Sequence, residues 1–211
     1  MTTKKEVVKE NTTINKNKKN KATVTTENKV IATKKESINS NIYPIGKLEI
    51  YENIEEAAIQ NLINDFKILP KKLKIVYKNI KKNKELQYSY KDGGWSVEQI
   101  FHHIADSHTN GFIRFKLTLT ENTPTVAPYN ENLWAETADI QLPIKTAVHL
   151  TKCIHEKWVA LMENMDKNEW KRTFYHPDSK KNHTLEEILQ KYAWHGKHHL
   201  AQIEVALKLK K

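Results

Sequence analysis

Two groups of histidines have the types and spacing that could hold a metal ion. Near the C-terminus the chain reads Tyr192-Ala193-Trp194-His195-Gly196-Lys197-His198-His199-Leu200-Ala201-Gln202. Residues four apart are neighbours on a helix surface, so His195 and His199 stand one turn apart and can grip one cation. They lie on a stripe of Ile188, Tyr192, His195, His199 and Gln202, whose steps of three and four mark a face turned toward a core. The second group lies in Trp95-Ser96-Val97-Glu98-Gln99-Ile100-Phe101-His102-His103-Ile104-Ala105-Asp106-Ser107-His108. On a helix opening at Ser96, His103 shares a stripe with Ile100, Ser107, Asn110 and Arg114. Together with His195 and His199 it would supply three nitrogen ligands and leave one position open, as catalytic sites do and closed structural sites do not. The pair lacks the flanking Glu of zincin motifs, so its spacing alone is a modest signal. A core histidine that only satisfies hydrogen bonds is the competing reading.

Long helices are needed to present these residues. From Asn53, with Glu56 three residues on as in a capping box, Ala58, Leu62, Phe66, Leu69, Leu73, Tyr77 and Ile80 recur at helical spacing. Pro70 removes one backbone donor, but the stripe keeps its phase across it, which predicts a kink rather than a break. Residues 82–94 end in Asp92-Gly93-Gly94 and read as a loop. Ser96 and Gln99 form a second capping box, for a helix running to about Glu121. Residues 122–142 hold Pro124, Pro128 and Trp134 without periodicity, and a connection of that length suits a lid or binding loop. Pro143 opens a third helix through Val148, Cys153, Ile154, Trp158, Leu161 and Met165. His155 flanks its apolar face, as a structural group or a support to a metal ligand. Thr184 and Glu187 form a third capping box, opening the helix that carries His195 and His199 and ends on basic residues suited to its dipole. No strand-period segment of any length is seen. The expected fold class is all-α, a four-helix bundle whose second and fourth helices supply the site.

Composition bounds the function. The net charge is +10, but residues 1–42 hold ten Lys against four Glu and so carry +6 of it. That segment has no aromatic residue, glycine or proline. It cannot bury enough apolar surface to offset chain entropy, so a disordered Lys/Asn/Thr-rich tail is expected. Without aromatics to stack on bases it reads as a solvated arm rather than a specific nucleic-acid binder. It has neither the apolar core of a secretory signal nor the Arg of a mitochondrial presequence. No run of about 18 apolar residues is present, so no membrane span is expected. The single cysteine, Cys153, excludes an intramolecular disulfide and fits a cytoplasmic location. On its helical pattern with Leu150, Ile154 and Trp158 it reads as a buried, inert thiol.

Several segments in order resemble the YfiT-like branch of the DinB superfamily. They are Tyr43-Pro44-Ile45-Gly46, Gly93-Gly94-Trp95-Ser96-Val97-Glu98-Gln99, the run from His102 to His108, and the run from Tyr192 to Ala201. Ile113-Arg114-Phe115-Lys116-Leu117, Thr123-Pro124, Trp134-Ala135-Glu136 and Tyr175-His176-Pro177 fit the same pattern. The resemblance spans residues 43–206 and leaves out the tail. It implies a DinB/YfiT-like four-helix bundle over residues 43–211, with one divalent metal per chain, zinc or nickel, on His103, His195 and His199. It also implies a homodimer. Proteins of this type are described as metal-dependent hydrolases, and close relatives as transferases that attach the low-molecular-weight thiol bacillithiol to electrophiles.

The leading expectation is an enzyme of thiol transfer on a small-molecule substrate. A thiolate generated at the metal attacks an electrophile, with Arg114 or Asn110 positioning the thiol or the leaving group. No Asp or Glu in either metal helix is placed as a general base, which favours a reaction with little need of one. The alternative is hydrolysis by metal-generated hydroxide, with Asp106 or His108 as a base through water. A second alternative is a non-catalytic binding module that the metal only staples.

Overall fold

The apolar stripes condense into four helices: α1 (Glu56–Asn79), α2 (Val97–Thr120), α3 (Ile144–Met162) and α4 (Leu185–Leu209). They belong to a computed structural model that describes residues 40–209, so the expected tail, residues 1–42, lies almost wholly outside the described residues. Helix α1 packs on α3 and α4, and α2 packs on the same two. Helices consecutive in sequence, α1 with α2 and α3 with α4, therefore sit across the diagonals of the bundle.

Its core is divided in two. One part gathers Ile63, Phe66, Phe115, Trp158 and Leu189, and the other Leu73, Ile100, Ile104, Val148 and Ile203. By the part each helix reaches first, α1 and α4 run one way and α2 and α3 the other. Between the two parts, at the waist of the bundle, stand His108, His155 and His195. Because α2 and α3 are parallel, the chain must return the length of the bundle between them, which is why residues 122–142 make so long a connection. That connection holds one helical turn at Glu131–Trp134, capped by Asn130, and a 3-10 turn at Ala138–Gln141. Side chains of α2 grip its carbonyls: Gln99 donates to Ala135 at 3.0 Å, His102 to Leu142 at 3.1 Å and Arg114 to Ala127 at 2.7 Å.

Ser96 and Gln99 close the expected capping box on α2. Thr184 caps α4 by accepting from the Glu187 N–H at 3.0 Å, while the Glu187 carboxylate turns to His183 instead of closing a box. Helix α1 departs from expectation. It begins at Glu56, its N-cap Glu55 makes no side-chain bond, and Asn53 sits in the left-handed region at φ 51°. The cause is tertiary: Ile54 N–H donates to Glu186, and the Tyr51 backbone exchanges two bonds with Gln190, so α4 sets the entry angle. Pro70 lies inside α1 without breaking it.

The absence of strands was a wrong expectation. Thr173–His176 (β1) and Lys181–Thr184 (β2) pair antiparallel, and Thr125 of the connection bridges to Tyr175. Strands of four residues are too short for a period of two to show against background. Arg172, just before β1, donates to the carbonyls of Thr118 and Glu121 at 2.6 and 2.8 Å and so ties the hairpin to the C-terminal end of α2. Cys153 is also corrected: it is exposed. The buried face of α3 holds Ala147, Thr151, His155 and Trp158. Two polar residues take core positions there, so an apolar count turns the face away from its true centre, and His155 lies within it rather than beside it. Helix α3 stops at Met162, short of Met165.

Among the described residues no helix is long and apolar enough to cross a membrane.

Candidate metal centre

Helices α2 and α4 are antiparallel neighbours, and their facing stripes bring His103 against His195 and His199. One ring nitrogen from each lies within 4.8 Å of the others. His103 Nε2 and His195 Nε2 are 3.1 Å apart. Among the described residues no other group of His, Cys, Asp or Glu converges this way, and no carboxylate joins this one. His103 and His199 are buried and His195 is half-buried.

The donor set fits a divalent cation. Nitrogens bound at about 2.0–2.1 Å to one tetrahedral zinc stand about 3.4 Å apart, close to the His103–His195 spacing. His199 Nδ1 lies 2.8 Å from Gln202 Oε1, and Gln202 donates its own Nε2–H to the Ile42 carbonyl at 2.9 Å. Gln202 Oε1 is therefore an acceptor, so His199 carries its hydrogen on Nδ1 and keeps its Nε2 lone pair for a ligand. Burial pulls His103 down to about 4. It pulls His195 and His199 well below the usual imidazole range, with the neighbouring imidazoles adding to it. All three are neutral at pH 7, the form that binds metal.

Trp95 walls the site, its ring centroid 4.3 Å from that of His103 and 6.1 Å from that of His199. Its place just before the Ser96 cap, a position whose apolar side chain folds back over the first turns, was the available signal. Beside His195 opens a cavity of about 150 Å³, lined in part by Ser107, Arg114, Tyr129, Lys191 and Tyr192. That volume admits the reacting end of a small molecule. Two carboxylates, Glu131 and Asp178, share it with the two cations. Crowding by packed neighbours first, and the charge of Arg114 second, pull the Lys191 ammonium down although the residue keeps an exposed surface. Burial pushes the Tyr129 hydroxyl up, so it stays protonated and can donate at neutral pH. A larger depression of about 460 Å³ between α1 and α3 does not open on the three imidazoles.

Of the two expected positioning residues, Arg114 reaches this cavity, its guanidinium 5.8 Å from the Tyr129 ring centroid. Asn110 turns back to donate to the Asp106 carbonyl of its own helix at 3.0 Å and does not line the cavity. Nor does Asp106, whose carboxyl is raised to about 6 by burial and by Asp139. His108 is wholly buried between His155 and His195, so it cannot serve as a base through water.

Three imidazoles converging from the second and fourth helices of a bundle define a class of metal-site proteins. The sequence pattern of the DinB superfamily matches residues 70–203, and the chain belongs to that superfamily, in its YfiT-like branch. It is 40% identical over 168 residues to a protein of Oceanobacillus iheyensis named "Putative metal-dependent hydrolase", covering 80% of this chain and 96% of that one. A protein of Halalkalibacterium halodurans with the same description is 39% identical over 167 residues, covering 79% and 96%. Among solved structures, YfiT from Bacillus subtilis matches with a TM-score of 0.77 at 39% identity, covering 81% of this chain and 98% of that one. It is described as "a probable metal-dependent hydrolase with an unusual four-helix bundle topology".

Proposed function

We propose that the protein is a metal-dependent enzyme that transfers a low-molecular-weight thiol of the bacillithiol type to a small electrophile, with zinc or nickel on His103, His195 and His199. The observation that carries this reading is a ligand cluster made of neutral imidazoles alone, which no carboxylate joins among the described residues. A divalent cation held by these three imidazoles would lower the pKa of a thiol bound to it and so supply a nucleophile at neutral pH. A free thiol starts near pKa 8.5 and water near 15.7, so the thiol needs less help and no protein base. Neutral ligands leave the whole positive charge of the ion to attract an anionic nucleophile. Arg114 and Lys191, set among Glu131 and Asp178, offer charged partners to a polar group of the substrate or thiol in the adjoining cavity, and Tyr129 offers a neutral hydrogen-bond donor. Asn110, engaged with its own helix, is given no part.

Hydrolysis is the second reading, favoured by the descriptions of the relatives. The two differ in one requirement, since only transfer needs added thiol. Zinc- and nickel-loaded protein should conjugate a low-molecular-weight thiol to a chromogenic electrophile. His103→Ala, His195→Ala and His199→Ala should each lose both metal and conjugation. Loaded protein that cleaves ester or amide substrates without thiol, and conjugates nothing, would replace transfer with hydrolysis. Full metal occupancy in all three variants would overturn the ligand set.

A further inference from the structure

We propose that His108 and His155 are positioning residues: with the Phe66 carbonyl they form a one-way chain of hydrogen bonds that fixes the tautomer of His195 and so presents its Nε2 lone pair to the metal site. This rests on the reading that His103, His195 and His199 hold a metal.

The chain crosses the waist of the bundle and takes one residue from each helix. It starts on α1. Pro70 has no N–H, so the carbonyl of Phe66, four residues earlier, is left without its helical donor. His155 Nδ1 on α3 lies 2.7 Å from that oxygen. A carbonyl can only accept, so the hydrogen of His155 is on Nδ1 and its Nε2 carries the lone pair. That nitrogen is 2.8 Å from His108 Nδ1 on α2, which must then donate. His108 Nε2 in turn accepts, and its partner at 3.2 Å is His195 Nδ1 on α4. The hydrogen of His195 is thereby assigned to Nδ1. Its Nε2, 3.1 Å from His103 Nε2, is left as a bare lone pair at the ligand cluster.

The direction of the whole chain is set at the Phe66 end. His108 is 0% exposed, so no solvent reaches the middle of the chain, and His155, 2% exposed, meets solvent only where it lines the depression between α1 and α3. Moving the hydrogen of any one ring to its other nitrogen would set two hydrogens or two lone pairs against each other inside the protein, an arrangement buried polar groups avoid. Gly196, next to the ligand His195, leaves room for Leu69 of α1 to pack beside the chain. A Cβ there would stand 2.3 Å from Leu69 Cδ2, which would have to move, while His108 Cε1 at 3.4 Å would only be touched. His199 receives the same service from Gln202, but by a bond within α4.

The test reads tautomers first. In metal-free full-length protein with 15N-labelled histidine, long-range proton–nitrogen spectra should show His155, His108 and His195 each protonated on Nδ1. An Nε2–H form at any of the three in wild type overturns the proposal, whatever the variants do. His155→Phe keeps a ring in place but removes the acceptor for His108. It should let the Nε2–H form of His195 appear and weaken zinc binding by about 10–100-fold, the usual effect of losing a ligand's supporting partner, with helix content unchanged. A folded His155→Phe protein with wild-type zinc affinity also overturns it. If that variant does not fold, the wild-type tautomers decide alone. Wild type that takes up no zinc sinks the metal reading and the purpose of the chain with it, and the tautomer spectra show whether the chain itself was also misassigned.

Discussion

At the scale of single residues, the hydrogens of this site are determined by groups that can act in one way only. Gln202 is such a group for His199, because its amide is oriented by the Ile42 carbonyl. Gln202→Leu keeps bulk but removes the acceptor, so the His199 ring loses its orientation. Zinc affinity is expected to fall by about 10-fold or more. Competition against a chromophoric chelator measures it, and unchanged affinity would mean that packing against Trp95 alone orients the ring. Asp106 gives a different kind of prediction. Its carboxyl, ordinarily near 3.8, is raised to about 6 by burial and then by Asp139. The folded state therefore prefers the protonated acid: stability is full below the unfolded value and is lost as pH rises through about 6. Asp106→Asn should stabilise the protein at pH 7 by about 1 kcal/mol, the shift being discounted because the group is half exposed, and should add nothing near pH 3.5. Urea unfolding at the two pH values is the check, and an equal gain at both would point to something other than charge.

At the scale of elements, the stripe rule placed His103 rather than His102 on the inward face, and the structure shows why: His102 faces the connection and bonds the Leu142 carbonyl. What the stripes could not show is which rings meet across helices. The His108–His155 contact depends on the diagonal placement of consecutive helices, which leaves no trace in any one helix's spacing. The shift of the α3 face has the same origin at His155, a core residue because His108 and the Phe66 carbonyl are there to receive it, whereas Thr151 is satisfied within α3 by the Ala147 carbonyl. Gly111 of α2 is another contact invisible from spacing. A Cβ at that position would stand 2.4 Å from Tyr192 and 2.6 Å from Trp158, so the glycine is what lets two aromatic rings press against the helix backbone. Alanine is the better helix former by about 1 kcal/mol, yet Gly111→Ala should destabilise the protein, because overpacking a core costs about 1–3 kcal/mol. Chemical denaturation decides it, and a stabilised variant would show that Tyr192 and Trp158 can retreat freely.

For the whole molecule the question is whether a metal would be needed to fold it, as the staple reading requires, or only to make it active. Sites that staple a fold occur where there is little core without them. Here two apolar clusters, one around Phe66, Phe115 and Trp158 and one around Leu73, Ile100 and Ile203, lie on either side of the waist and contain none of the three ligand histidines. Each draws on all four helices. Chelated protein should therefore keep its helical circular dichroism and melt cooperatively. Zinc binding only the folded state at 100 times its dissociation constant adds about 2.7 kcal/mol. For a domain of this size that is a rise of about 5–11 °C in Tm, at about 2–4 °C per kcal/mol. A chelated protein that lost its helices would favour the staple reading over catalysis. A Tm that did not respond to zinc at all would mean that the three imidazoles, close as they are, do not take the ion in the folded state.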